Sequence, residues 1–270
     1  MGEAKRKSRS RREVMESEAR CIYCPGPVET WEHMPPIGMF RDGHRPGAME
    51  YGACKSCNEG TRGSDAVAAL IARCHPRNDS RGWQEKEIRN LIRTVETRAP
   101  GVREEMSLPD KFQSGWMQRP ESGLFQRVVR LVVDGPKVTA QLGAFGAKLG
   151  MALYREHVGA ALPLEGAVWN LFTLNAAMTQ EKLMARVEKL PIQGTLSQGR
   201  KNVGDQFVYR YNCDGRTVIA AVVEFHSNLW FTIVASSDER IVNFFLEKQV
   251  SPLPASVLVR PGGLLSLLAS

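Results

Sequence analysis

The chain has 270 residues and a formal net charge of +7, with 43% hydrophobic and 24% charged residues. That is the make-up of a soluble globular protein with room for one large domain or two small ones, and it excludes a largely disordered chain. The absence of any apolar run of about eighteen residues excludes a membrane-spanning helix, and the positive balance favours an anionic partner, of which nucleic acid is the commonest.

Residues 1–20 begin with a basic run, six Lys and Arg between Lys5 and Arg12. This stretch reads as a disordered or marginally helical arm, either contacting phosphate or simply solvated. No apolar signal segment stands near the start, so a cytoplasmic, reducing setting is expected, in which thiols do not pair as disulfides.

The stretch from Cys21 to Asn58 carries the chemistry. Two Cys-x-x-Cys pairs, Cys21/Cys24 and Cys54/Cys57, hold four of the six cysteines. In a tight turn, two thiolates at this spacing point at one ion, and two such turns complete a tetrahedral site for structural Zn2+. Between the pairs lies Glu32-His33, an oxygen ligand beside an imidazole. In an extended segment these neighbours point to opposite faces. Pro35-Pro36 stiffens the exit from that strand. Asn58 follows the last cysteine and is tied by the chain to the zinc site.

The pattern CxxC…EHxxP…CxxCN over residues 20–75 resembles the zinc-containing branch of the HNH, or ββα-metal, nucleases, and is similar to the recombination endonuclease VII group. The resemblance implies that Glu32 and Asn58 hold a catalytic divalent cation, Mg2+ or Mn2+, and that His33 is the general base that activates water. Such chemistry suits these residues: a cation neutralises charge on the phosphate, and a His titrates near neutrality. Two positions depart from the family's pattern. The acid before the His is Glu rather than Asp, and Met49 stands where many members carry a middle Asn. His44 or Arg41 are the residues nearby that could contribute instead.

Past Asn58, Ser64 or Asp65 reads as the N-cap of a helix with Val67, Leu70, Ile71 and Cys74 on one apolar stripe. Arg62 and Gly63 sit in a phosphate-approaching turn or a plain loop, and Cys74 reads as core. Asp79 to Ala99 is an amphipathic helix ended by Pro100-Gly101, with Arg89, Arg93 and Arg98 on a face that is either solvated or directed at DNA. Residues 101–122, rich in Pro, Gly and charge, read as a linker.

The second half changes character. Leu124 to Val133 is apolar and β-branched. Lys137 to Val158 has helical spacing and reads as a long, mostly buried helix, with His157 capping or solvated. Leu164 to Leu190 reads as further helix. Gln206–Tyr211, Thr217–Phe225 and Leu229–Ala235, separated by turn signals, read as an antiparallel meander. Glu224 and His226 read as a surface pair. A helix over Ser237–Gln249 and a Pro- and Leu-containing tail complete the chain.

The expected fold is therefore α+β: a basic arm (1–20), a zinc-bound HNH-like module with a helical extension (21–100), a linker (101–122), and a helical and β-meander accessory domain (123–270). The accessory half is expected to serve specificity, a partner protein or homo-oligomer formation. Three functions follow: a metal-dependent endonuclease acting on nucleic acid, DNA first, through His33, Glu32 and Asn58; a catalytically inactive zinc-stabilised nucleic-acid-binding module; or a protein-interaction scaffold.

Overall fold

Every residue from Leu142 to Tyr154 is buried, so the helix that carries them, α6 (Pro136–Val158), runs through the middle of the molecule. The computed structural model describes residues 10–47, 49–74, 82–118, 122–174, 181, 195–248 and 256–269. Helix α6 is the expected long helix. Pro136 opens it and Gly159, at φ 88°, closes it in the left-handed conformation.

One side of α6 lies on a six-stranded antiparallel sheet. Its strands are β5 (Ala167–Leu174), β6 (Ser197–Gln198), β7 (Phe207–Cys213), β8 (Val218–Phe225), β9 (Leu229–Ser236) and β10 (Ser256–Val259), in the order β10-β5-β9-β8-β7-β6. Strands β7, β8 and β9 are the expected meander. Alternation along β8 separates two cores: Ile219, Ala221, Val223 and Phe225 join the main core, while Val218 and Ala220 meet Val234 and Phe245 on the other face. That second face is covered by α7 (Glu239–Lys248), whose Phe245 stacks on Trp169 at 4.8 Å.

Helix α6 approaches the sheet closely because its glycines face it. A Cβ on Gly150 would lie 2.4 Å from Val168, and one on Gly146 would lie 2.3 Å from Asn170.

The helix expected across Leu164–Leu190 is corrected over its described part. Ala167–Leu174 is strand β5, between β9 and β10. Both of its faces are covered, so the two-residue alternation that marks a half-exposed strand is lost, and a short apolar run alone does not distinguish strand from helix. Residues 175–180 and 182–194 lie outside the described residues. The expected tail instead supplies β10 and a last helix, α8 (Leu264–Ala269).

The other side of α6 faces the N-terminal half. Helix α1 (Arg11–Ser17) opens with a capping box between Ser10 and Glu13; residues 1–9 of the basic arm lie outside the described residues. Strands β1 (Thr30–His33) and β2 (Glu50–Ala53) form an antiparallel hairpin with Glu32 opposite Tyr51 and His33 opposite Glu50. Helices α2 (Lys55–Gly60) and α3 (Arg62–Arg73) follow, and α3 packs against both α6 and α4 (Gly82–Arg98).

The stretch read as a linker holds α5 (Val102–Met106), a 3₁₀ turn at Pro109–Lys111 and β3 (Phe112–Gln118). Strand β3 pairs with β4 (Phe125–Leu131) in a separate hairpin that exposes Phe112, Trp116 and Phe125. A single hydrophobic cluster runs from Cys21 and Met34 through Phe145 to Phe225 and Leu229. Among the described residues, no helix is long and apolar enough to cross a membrane.

Candidate metal centre and the buried charge cluster beside it

The two Cys-x-x-Cys turns meet. The Sγ atoms of Cys21, Cys24, Cys54 and Cys57 all lie within 4.8 Å of one another, and those of Cys24 and Cys54 are 3.6 Å apart. A tetrahedral ion with metal–sulfur bonds of about 2.3 Å needs sulfurs about 3.8 Å apart. The backbone N–H groups of Tyr23, Gly26 and Cys57 donate to the sulfurs of Cys21, Cys24 and Cys54. Those bonds favour thiolate, the form a metal ion needs.

Crowding spreads the acidities of the four groups. The Cys57 thiol bonds to Cys21 and holds it down to about 5, while Cys57 itself is pushed far up by the same contact; burial pushes Cys24 up to about 11. The donor set fits a metal ion such as zinc. The first pair precedes β1, and the second follows β2, with Cys54 capping α2 and Cys57 inside it, so the cluster staples hairpin to helix.

The hairpin presents two faces. Thr30 and Glu32 point inward, and Trp31 and His33 point the other way. Glu32 is only 3% exposed. Its Oε1 lies 3.1 Å from Nζ of Lys148, which projects from α6, and the same Nζ lies 2.8 and 2.9 Å from the two carboxylate oxygens of Asp65 on α3. The Tyr23 ring lies 5.6 Å from the ammonium and closes one side.

One ammonium thus serves two carboxylates. Burial pushes Glu32 up to about 7 against the opposing pull of Lys148. Burial lowers Lys148, but Asp65 and Glu32 outweigh it, and the group ends raised and charged.

Asn58 lies at the same edge. Its Nδ2 donates to Thr30 Oγ1 at 3.0 Å and to the Trp31 carbonyl at 3.4 Å, fixing the side chain on β1. His33 stands across the strand from Glu32, edge-on to Trp31 at 4.4 Å. Burial and the nearby Arg45 lower its pKa, against Glu50, so the ring is neutral at neutral pH. Its Nδ1 is buried with no hydrogen-bond partner. Glu50, opposite His33, is buried and paired with Arg45.

The hairpin and the residue after the last cysteine therefore bring Glu32 and Asn58 to one edge, with His33 on the reverse. Glu32 does not fit a hard divalent cation here. Its Oε1 is paired with an ammonium 3.1 Å away, and both Glu32 and Lys148 are buried.

No protein-family model, curated protein or solved structure matches this chain.

Other sequence readings fall as follows. Arg41 is committed elsewhere, its backbone N–H donating to Gln206 at 2.7 Å and its guanidinium reaching Asp205 at 3.4 Å. His44 is exposed, and Met49 is buried. The N-cap of α3 is Thr61, so Ser64 and Asp65 lie inside the helix and bond across the fold to Gln141 and Lys148.

Cys74, read as core, is exposed at the end of α3, and His75 lies outside the described residues. Arg62 pairs with Glu59 at 4.0 Å, and Arg89, Arg93 and Arg98 are exposed on α4. His157, read as capping or solvated, lies in the last turn of α6, packs on Tyr211 at 3.8 Å and is held down to about 4 by burial and by Arg200 and Lys201.

Sequence reading missed Lys148. It is the one charged residue in the run Leu142–Tyr154. A lone charge inside an apolar helical stretch is costly unless paired, and that was the available signal.

Proposed function

We propose that the chain acts on nucleic acid through a zinc-stabilised ββα module, and that it binds its target rather than hydrolysing it. The observation that carries the choice is the closed contact of Lys148 with Glu32. A residue assigned to a catalytic cation by resemblance is spent on an internal ion pair. The order of knuckle, hairpin, knuckle and helix supports the ββα reading. The net charge of +7 and the exposed arginines of α4 support an anionic partner. Zinc is the ion the four sulfurs suit, and its role is to hold the module together.

A second reading, phosphodiester hydrolysis with His33 as general base, is favoured by one observation: the ring is held neutral, with a nitrogen free of partners.

The two separate in one experiment. Zinc-loaded protein is titrated into labelled single- and double-stranded DNA and RNA over a range of salt, with and without Mg2+, and incubated with plasmid in Mg2+, Mn2+ or EDTA beside His33→Ala. The binding reading expects affinity that falls with salt, is unchanged by Mg2+, and comes with no cleavage. Cleavage abolished by His33→Ala would instead establish the hydrolase. A folded protein with no affinity for nucleic acid at low salt would leave the protein-interaction scaffold.

A further inference from the structure

The carboxylates of buried Glu32 and partly buried Asp65 both lie against one ammonium. In nucleases of the type this chain resembles, the acid at the position of Glu32 holds a divalent cation. Here the positive charge comes from a side chain in the far half of the molecule. We propose that the Lys148 ammonium is a resident replacement for the divalent cation, so that the native chain takes up no such ion at Glu32, and the charge balance of the ββα module is supplied by α6.

Three features support this. The first is charge. One ammonium lies against both carboxylates, with Asp65 Oδ1 at 2.8 Å and Oδ2 at 2.9 Å as its hydrogen-bond acceptors and Glu32 Oε1 at 3.1 Å as its ion-pair partner.

The second is distance. The Asp65 distances are those of charge-assisted hydrogen bonds and the Glu32 distance is that of an ion pair, whereas Mg2+ or Ca2+ would draw the oxygens to about 2.0–2.6 Å of the ion. The third is enclosure. Lys148 is fully buried, flanked on α6 by Ala147 and Leu149, and the Tyr23 ring lies 5.6 Å off.

The inference rests on the ββα reading only for where a cation would sit. It does not depend on nucleic-acid binding, which is measured separately, so either can fail alone.

The test uses the zinc-loaded full chain and the electron paramagnetic resonance signal of free Mn2+. Wild type, Glu32→Gln, Lys148→Met and the Lys148→Met/Glu32→Gln double variant are titrated. Wild type and Glu32→Gln should remove Mn2+ from solution equally. Lys148→Met should bind an additional Mn2+ that the double variant does not.

Glu32-dependent uptake of Mn2+ by wild type would overturn the proposal. So would a folded Lys148→Met that binds no more than the double variant, because the ammonium would then be an ordinary ion pair and not a stand-in. If Lys148→Met does not fold, wild type against Glu32→Gln decides alone: equal uptake supports the proposal and unequal uptake overturns it.

Discussion

Nε2 of His226, on the β8–β9 turn, donates to the main-chain carbonyl of Met39, 2.6 Å away in the loop between β1 and β2. The ring is 4% exposed, and burial holds it down to about 4. A folded pKa below the unfolded value of about 6.5 means that the unfolded chain binds the extra proton first. The stabilisation from this group is complete above pH 6.5 and is lost as pH falls toward 4, by at most about 3 kcal/mol. Glu32, raised in the fold, acts in the opposite direction, so the effect is read as a difference. The gap in unfolding free energy between wild type and His226→Gln should narrow between pH 7 and pH 4. A constant gap would remove His226 from the pH dependence.

The Lys148 cluster gives an ordered series. Removing the shared cation leaves buried Glu32 and partly buried Asp65 uncompensated, so Lys148→Ala should cost about 3–5 kcal/mol. Asp65→Asn should cost less, because Glu32 can take the whole charge, and Glu32→Gln least, because the closer Lys148–Asp65 pair survives. Urea denaturation of the three variants checks the order. A Glu32→Gln loss equal to that of Lys148→Ala would contradict the division of charge described above.

Close packing of α6 on the sheet predicts a glycine effect opposite to helix propensity. Gly150→Ala gains up to about 1 kcal/mol as helix, but its Cβ would lie 2.4 Å from Val168 Cγ1 and 2.9 Å from Ile233 Cγ2. Overpacking of this kind costs about 1–3 kcal/mol, so thermal unfolding should move down. Gly38→Ala, where an added Cβ meets nothing within 4 Å, should leave it nearly unchanged.

Metal content should follow the four clustered sulfurs alone. Cys57→Ser is expected to lose most of the zinc released to a chromogenic chelator and to lower the melting temperature. Cys74→Ser and Cys213→Ser should retain both, since neither sulfur belongs to the cluster. Full zinc in Cys57→Ser would refute the four-sulfur site.

How much could be read from the sequence follows the range of each interaction. The knuckles were legible because two residues of spacing encode a turn that points both thiolates one way. Helix α6 and the meander were legible because their periods are local. The opposite facing of Glu32 and His33 followed from strand alternation alone. What the inward face meets did not, because Lys148 is 83 residues from Asp65 along the chain and nothing local pairs them. The burial of His226 is hidden for the same reason: its partner, Met39, lies 187 residues away. Strand β5 does not show in the sequence because burial on both faces erases the pattern that reveals a strand.

The reach between Asp65 and Lys148 also bears on how the protein is made. As the chain leaves the ribosome, the cysteines and both carboxylates emerge well before α6 does. Until Lys148 arrives, closing the hairpin and α3 over Glu32 carries the cost of a buried carboxylate without its cation. The early product is therefore expected to keep an open, hydrated flank. Its completion waits on a helix encoded much later, so the two halves of the chain should become protease-resistant together.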